Sequence, residues 1–476
     1  MKNYRESMLT DLYELTMANG YFLENKHDDI GYFDLYYRKT TDDGGYAIFA
    51  GLETIIKFIE SLKFTEDDIA FLKKKNIFSE GFLEYLKNFK FTGDIYSFKE
   101  GSVIFPNEPI MTIKAKLIEA QIIETFLLQT INHQSLIATK AARIKQAAKG
   151  RIVLEMGARR AHGASSSVLG ARSAYIAGID GTSNVLADQI YGVPSGGTMA
   201  HSWVQLFENE YEAFKAYAKH YPHSTTFLVD TYDTLDSGVP NAIKVIKEVL
   251  IPMGAKSYSI RIDSGDLTYL AKQSRSLLDK AGLPNCKIVV SNALDERLIN
   301  TLISQGAPID VFGVGERLIT AKSDPVFGSV YKLVAIEKNN EIIPKIKISE
   351  NVEKITTPHF KKVYRIYSED NKAEADLITI YNEIIDNSKP LTIFDQHNTW
   401  KTKTFSNYTV KELHHTIFKD GEKVYKSPKI KAIREFVSEE LNSLWDEVKR
   451  FDFPHRYYVD LSKKLWDVKQ NLISSN

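Results

Sequence analysis

From residue 151 onward one pattern recurs: a short apolar run, a tip of small or polar residues, then helical spacing of apolar side chains. Ile152-Val153-Leu154 leads to Glu155, Gly157, Arg159 and Arg160, and Phe227-Leu228-Val229 leads to Asp230, Thr231 and Asp233. Tyr258-Ser259-Ile260 leads to Arg261, Asp263, Ser264 and Asp266, and Ile288-Val289-Val290 leads to Ser291, Asn292 and Asp295. Val311-Phe312 leads to Gly313, Gly315, Glu316 and Arg317. Between the tips, Leu267, Leu270, Ala271, Leu277 and Leu278 share one helical face, as do Leu298, Ile299, Leu302 and Ile303. Near-continuous apolar runs suit strands covered on both faces, and strand–tip–helix repetition is the mark of a parallel α/β sheet or barrel. In such folds chemistry collects at the carboxyl ends of the strands, where every one of these tips lies. Residues 135–335 are therefore read as one barrel-like α/β domain with a single site at its mouth.

The flanking segments look different. Up to about residue 134 helix and strand signals mix, with Leu52, Ile55, Ile56 and Ile59 on one helical face and alternation through Val103 and Phe105. After Glu337 the chain turns charged and irregular, and Ile433 to Val448 carries apolar residues at helical spacing. Lysine plus arginine equals aspartate plus glutamate at 61 each, which argues against general nucleic-acid binding but leaves room for a local basic pocket. The one cysteine, Cys286, excludes an internal disulfide and any multi-cysteine metal site, and suits a reducing cytoplasm. No apolar run of ~18 residues is present to span a bilayer, so no membrane partner is expected.

Several tips carry chemistry. Gly196-Gly197-Thr198-Met199-Ala200-His201-Ser202 places a histidine after paired glycines where a polar loop enters a helix. A histidine there can donate a hydrogen bond, move a proton or accept a phosphoryl group, and it can equally be a structural hydrogen-bonder. Arg261, Asp263, Ser264 and Asp266 suit a sugar diol or Mg²⁺; the alternative is a helix cap by Asp263 or Ser264. The backbone of Gly313 to Arg317, with Ser291 and Asn292 one strand earlier, suits a phosphate monoester. Arg159 and Arg160 favour an anionic ligand. No histidine pair shows metal-ligand spacing with a third ligand, so no protein metal ligands are assigned. Together these residues describe a site for phosphates, a ribose and an anionic small molecule, with His201 beside it.

The chain resembles the nicotinate phosphoribosyltransferase family through an ordered series of segments. These are Leu9 to Tyr13, Glu155 to Arg160, Gly178 to Asn184, Gly197 to Ser202, Ile260 to Asp266, Val311 to Gly315 and Pro454 to Tyr457. The resemblance implies an irregular TIM-like α/β barrel with a flanking α/β domain built from segments 1–134 and 336–476. It implies transfer of phosphoribosyl from phosphoribosyl pyrophosphate to nicotinate, the first step of NAD salvage from nicotinate. The reaction would be coupled to ATP hydrolysis through a phosphohistidine at His201, the basis of a ligase-type classification, with Mg²⁺ on the phosphates. A homodimer with shared sites is implied, in which Tyr13 stacks on the pyridine ring of a ligand held by the other copy. Arg159, Thr198 and Arg261 would hold the ring and its carboxylate, Asp263 the ribose or ring nitrogen, Gly315, Glu316 and Arg317 the 5′-phosphate. Arg38, Lys361 and Lys362 would reach pyrophosphate. Ser183 stands where nicotinamide enzymes carry aspartate, which favours the acid as substrate. Glu316 stands where some members of the family have threonine, so only its backbone N–H would serve phosphate and its carboxylate would point away; Pro358-His359 stands where a Pro-Gly turn is usual. The rival readings are a nicotinamide phosphoribosyltransferase and a barrel lyase or isomerase acting on a sugar phosphate.

Overall fold

The structure is a computed structural model that describes residues 6–475. It divides into two compact units, one from Ile137 to Pro325 and one from the segments up to Leu136 and from Val326 onward.

The Ile137–Pro325 unit is built on six parallel strands: β1 (Ile152–Glu155), β2 (Gly181–Thr182), β3 (Thr225–Leu228), β4 (Tyr258–Ile262), β5 (Lys287–Val290) and β6 (Val311–Val314). Their order across the sheet is β2-β1-β6-β5-β4-β3, so the first strand lies beside the last. Every pairing is parallel, as expected where a helix returns the chain between strands. The sheet curls into a parallel half-barrel, an incomplete form of the barrel read from the sequence. Ile260, Ile288, Val290, Phe312 and Val314 are wholly buried, which is why these runs carry no alternation.

The helices between strands begin at polar residues of the tips. Asp266 caps the helix Leu267–Lys280 by accepting from the Tyr269 N–H, and Asp295 caps Glu296–Ser304 by accepting from the Leu298 N–H. The cap that was the alternative reading of Asp263 or Ser264 thus belongs to Asp266, and Asp263 makes other contacts.

In the other unit a seven-stranded antiparallel sheet interleaves the two chain ends: Ile30–Tyr37 lies between Ser329–Lys338 and Met111–Lys116. Residues 326–335 therefore belong here and not with the barrel, because Ser329–Lys338 pairs along the whole of Ile30–Tyr37. A four-stranded sheet adds Lys361–Tyr367 and Ala373–Ile380, flanked by Thr409–Glu412 and Tyr458–Leu461. Beneath it Arg365, fully buried, is held by Asp376 at 2.7 Å and Glu440 at 2.8 Å. The helix read near the C-terminus runs over Ile430–Ser443, so Trp445 and Val448 fall beyond its end. Among the described residues no helix is long and apolar enough to cross a membrane.

Candidate active site

The carboxyl ends of the half-barrel strands surround a cavity of about 580 Å³. The β1 tip contributes Arg159 and Arg160, and the β2 tip contributes Ser183. Arg261 and Asp263 follow from β4, Ser291 and Asn292 from β5, Gly315 and Glu316 from β6. The segment from Gly196 to His201 completes the wall, so Thr198 and His201 face the same space as the strand tips.

Arg261 organises one side. Its Nε donates to the Ser291 hydroxyl at 2.9 Å, its Nη1 to the Thr198 hydroxyl at 2.9 Å, and its Nη2 lies 3.2 Å from an Asp263 oxygen. The Ser291 hydroxyl donates in turn to Asp263. A planar guanidinium with five donors suits this three-way grip. Asp230, at the β3 tip, accepts from the Asp263 N–H at 2.9 Å and from the Ser264 hydroxyl at 2.6 Å. Its other oxygen, Oδ1, is buried and unpartnered.

His201 is the first residue of a short helix, His201–Gln205, and its Nδ1 lies 3.1 Å from the Thr231 hydroxyl. One approach here is close. A Cβ on Gly157 would lie 2.7 Å from the Gly315 carbonyl oxygen, so the β1 and β6 tips meet at this spacing only because position 157 is glycine. Asn292 and Ala293 both take left-handed backbone, with φ of 92° and 48°, at the cavity rim. Such conformations are costly for non-glycine residues and collect at functional sites.

The charge balance favours an anion. Asp263 is offset by Arg261, and Glu316 by Lys322 at 3.0 Å, which turns the Glu316 carboxylate to its own partner as the sequence departure required. Arg159 and Arg160 are exposed, and among the described residues neither makes an ion pair. Among the described residues no group of three or more histidine, cysteine, aspartate or glutamate side chains is arranged to hold a metal.

Some expected members lie elsewhere. The Arg317 guanidinium pairs with Asp295, the cap of the preceding helix, and does not line the cavity. Tyr13 and Arg38 belong to the other unit. Tyr13 is 45% exposed on the helix Leu12–Leu23, and Arg38 lines a separate basic cavity of about 620 Å³ with Lys39, Arg456 and Lys469. Burial, with Lys361 nearby, brings the Lys469 ammonium down to about 8, and Arg38 Nε is buried without a partner. Lys361 is no free phosphate ligand: its Nζ sits 2.7 Å from Asp34 and donates to the carbonyls of Thr357 and His359. Lys362 is taken by Glu412 at 3.3 Å and lies over the rings of Tyr364 and Tyr381.

Asp230, Thr231 and Glu155 stood among the polar tips without a role. Their signal in the sequence was the same as that of Asp263, an acid or hydroxyl at a strand end, and only their contacts distinguish them.

Comparisons with known proteins identify the family. A family model described as Nicotinate phosphoribosyltransferase (NAPRTase) family matches residues 152–385, and its N-terminal and C-terminal domain models match 8–132 and 360–469. A nicotinate phosphoribosyltransferase of Bacillus subtilis is 46% identical over 468 residues, covering 98% of this chain and 95% of its own length. The chain belongs to the nicotinate phosphoribosyltransferase family. A Dictyostelium discoideum nicotinate phosphoribosyltransferase is 35% identical over 521 residues, covering 98% of this chain and 88% of the relative. The crystal structure of human nicotinic acid phosphoribosyltransferase superposes with a TM-score of 0.87 at 27% identity, covering 98% of this chain and all (100%) of that one. A nicotinate-nucleotide pyrophosphorylase from Pyrococcus furiosus, 24% identical with a TM-score of 0.71, covers 93% of this chain and 99% of its own and shares the fold.

Proposed function

We propose that this protein is a nicotinate phosphoribosyltransferase that forms nicotinate mononucleotide and pyrophosphate, with ATP hydrolysis coupled through phosphorylation of His201. One observation carries the reading: Arg261, Asp263, Ser291 and Thr198 form one hydrogen-bonded set in the cavity that His201 also faces.

In the reaction the pyridine nitrogen attacks C1 of the ribose, the C1–O bond to pyrophosphate breaks, and the bonding pair leaves with pyrophosphate. The nitrogen is already nucleophilic, so the protein's task is positioning rather than proton removal. Arg159 and Arg261 hold the nicotinate carboxylate. Asp263 stabilises positive charge on the ribose, and its pairing with Arg261 keeps its carboxylate aimed. The backbone of Gly315 and Glu316, with Ser291 and Asn292, holds the 5′-phosphate. Arg38 and its basic cavity are available to pyrophosphate or to ATP. Mg²⁺ would arrive on the substrate phosphates, with the Asp263 carboxylate at the cavity wall as the hard oxygen donor beside it. There the ion would neutralise charge on the leaving group.

The exposed apolar set Leu9, Leu12, Tyr13 and Met17 supports a homodimer, with Tyr13 of the partner subunit stacked on the pyridine ring. NAD salvage from nicotinate is the metabolic role this chemistry serves. Ser183, exposed and neutral at the cavity wall, favours nicotinate over nicotinamide.

The test incubates the protein with γ-labelled ATP, then with nicotinate and phosphoribosyl pyrophosphate. Acid-labile, base-stable label on His201 and formation of nicotinate mononucleotide are expected. Full ATP-stimulated turnover by His201→Ala would overturn the phosphohistidine.

A further inference from the structure

Glu155 ends β1 with its side chain wholly buried and no cationic partner, an expensive place for an acid. Each of its carboxylate oxygens is engaged. One accepts the N–H of Gly157, at the start of the loop that carries Arg159. The other accepts the hydroxyl of Thr182 at 2.6 Å, at the end of β2. The Glu155 carbonyl adds a third tie, accepting the Ser183 N–H at 2.8 Å.

Thr182 relays the contact. Its Oγ accepts the Asn184 N–H at 3.0 Å while its own proton goes to Glu155. Asn184 in turn caps the helix Val185–Tyr191 by accepting from the N–H groups of Leu186 and Ala187. Ser183 is therefore bracketed by two anchored neighbours, 1% and 9% exposed, while it is itself exposed to the cavity.

We propose that Glu155 and Thr182 form a buried clasp that sets the spacing between Arg159 and Ser183, and so positions the pair that distinguishes a pyridine carboxylate from a pyridine carboxamide. This rests on the substrate-recognition reading of Arg159 and Ser183 given above. Gly157 N–H can only donate, and the Thr182 proton goes to Glu155, so position 155 accepts at both oxygens. An amide there would keep the Gly157 bond through its oxygen and reverse the bond to Thr182, whose Oγ has a second lone pair for the new donor beside the Asn184 N–H. A misplaced pair of loops loses discrimination, because selectivity against an isostere depends on groups held in register.

The experiment compares kcat/KM for nicotinate and nicotinamide in Thr182→Val, Thr182→Ser and Glu155→Gln, each with a thermal melt. Thr182→Val is expected to lower the acid-to-amide ratio about tenfold, chiefly through KM for nicotinate, while Thr182→Ser restores it. Glu155→Gln, which reverses the Thr182 bond without removing it, is expected to lower the ratio less than Thr182→Val; if it fails to fold, the threonine pair carries the test alone. An unchanged ratio in a folded Thr182→Val protein overturns the clasp. Ser183→Asp and Arg159→Ala, measured alongside, separate the two levels. If they leave the ratio unchanged, the recognition reading itself is wrong; if they change it while Thr182→Val does not, only the clasp is.

Discussion

The Arg261 guanidinium donates to the Thr198 hydroxyl at 2.9 Å and thereby ties the end of a barrel strand to the loop that carries His201. The same side chain serves Ser291 and Asp263, and it is largely shielded from solvent. Lysine keeps the charge but has a single nitrogen and cannot span these three partners. Arg261→Lys is expected to lower kcat/KM for nicotinate about a hundredfold with little change in melting temperature. Steady-state kinetics and calorimetry on the same preparation check it.

Substrate choice depends on charge beside the cavity. Ser183→Asp adds a carboxylate where nicotinate's own carboxylate would lie, and like charges at close range repel. It should impair nicotinate more than nicotinamide. Equal losses with both substrates would remove the charge argument.

Stability should depend on pH through Glu14. It is fully buried, and burial raises its carboxyl to about 7, against the opposing hydrogen bonds from Thr10 and Thr125. The folded protein thus retains a proton that the unfolded chain has released above the ordinary glutamate value of 4.5. Its contribution is complete below that value and is lost as pH rises towards about 7. Asp460, also raised to about 7 by burial, acts in the same window. Denaturation midpoints should therefore fall from pH 5 to pH 7.5, and Glu14→Gln should flatten part of that fall.

His359 takes φ of 82° in the loop before Lys361–Tyr367, a conformation that glycine adopts freely and histidine does not. Its ring nitrogen Nδ1 lies 3.2 Å from the neighbouring Phe360 carbonyl. His359→Gly is expected to stabilise the protein by about 0.5–1 kcal/mol, measured by urea denaturation. A destabilised variant would show that the ring contributes more than the strain costs.

Much of the site was legible because the strand tips announce themselves. Arg159, Arg261, Asp263, Ser291, Asn292 and Gly315 follow apolar runs, and strands of one parallel sheet present their ends on one side. His201 was legible as a helix start, and the helix does begin there. Arg317 and Lys361 were not. Each is a cation in a plausible loop, but Arg317 meets Asp295 and Lys361 meets Asp34, partners that no local spacing reveals. The end of the barrel unit is hidden in the sequence for a related reason. Ser329–Lys338 looks like any strand, and only its pairing with Ile30–Tyr37 assigns it to the other unit.

Taken alone, the sequence determined the periodicities: which runs become buried parallel strands, which residues stand at their ends, and which residue types cap the helices. These follow from hydrophobic spacing and local backbone preference, which act over a few residues. The tertiary structure decided the neighbours. The order β2-β1-β6-β5-β4-β3 brings Gly157 against Gly315, and the return of the chain after β2 brings Thr198 to Arg261. Hydrogen bonds and ion pairs form or fail within a fraction of an ångström, and that precision comes from strand register and packing between distant segments.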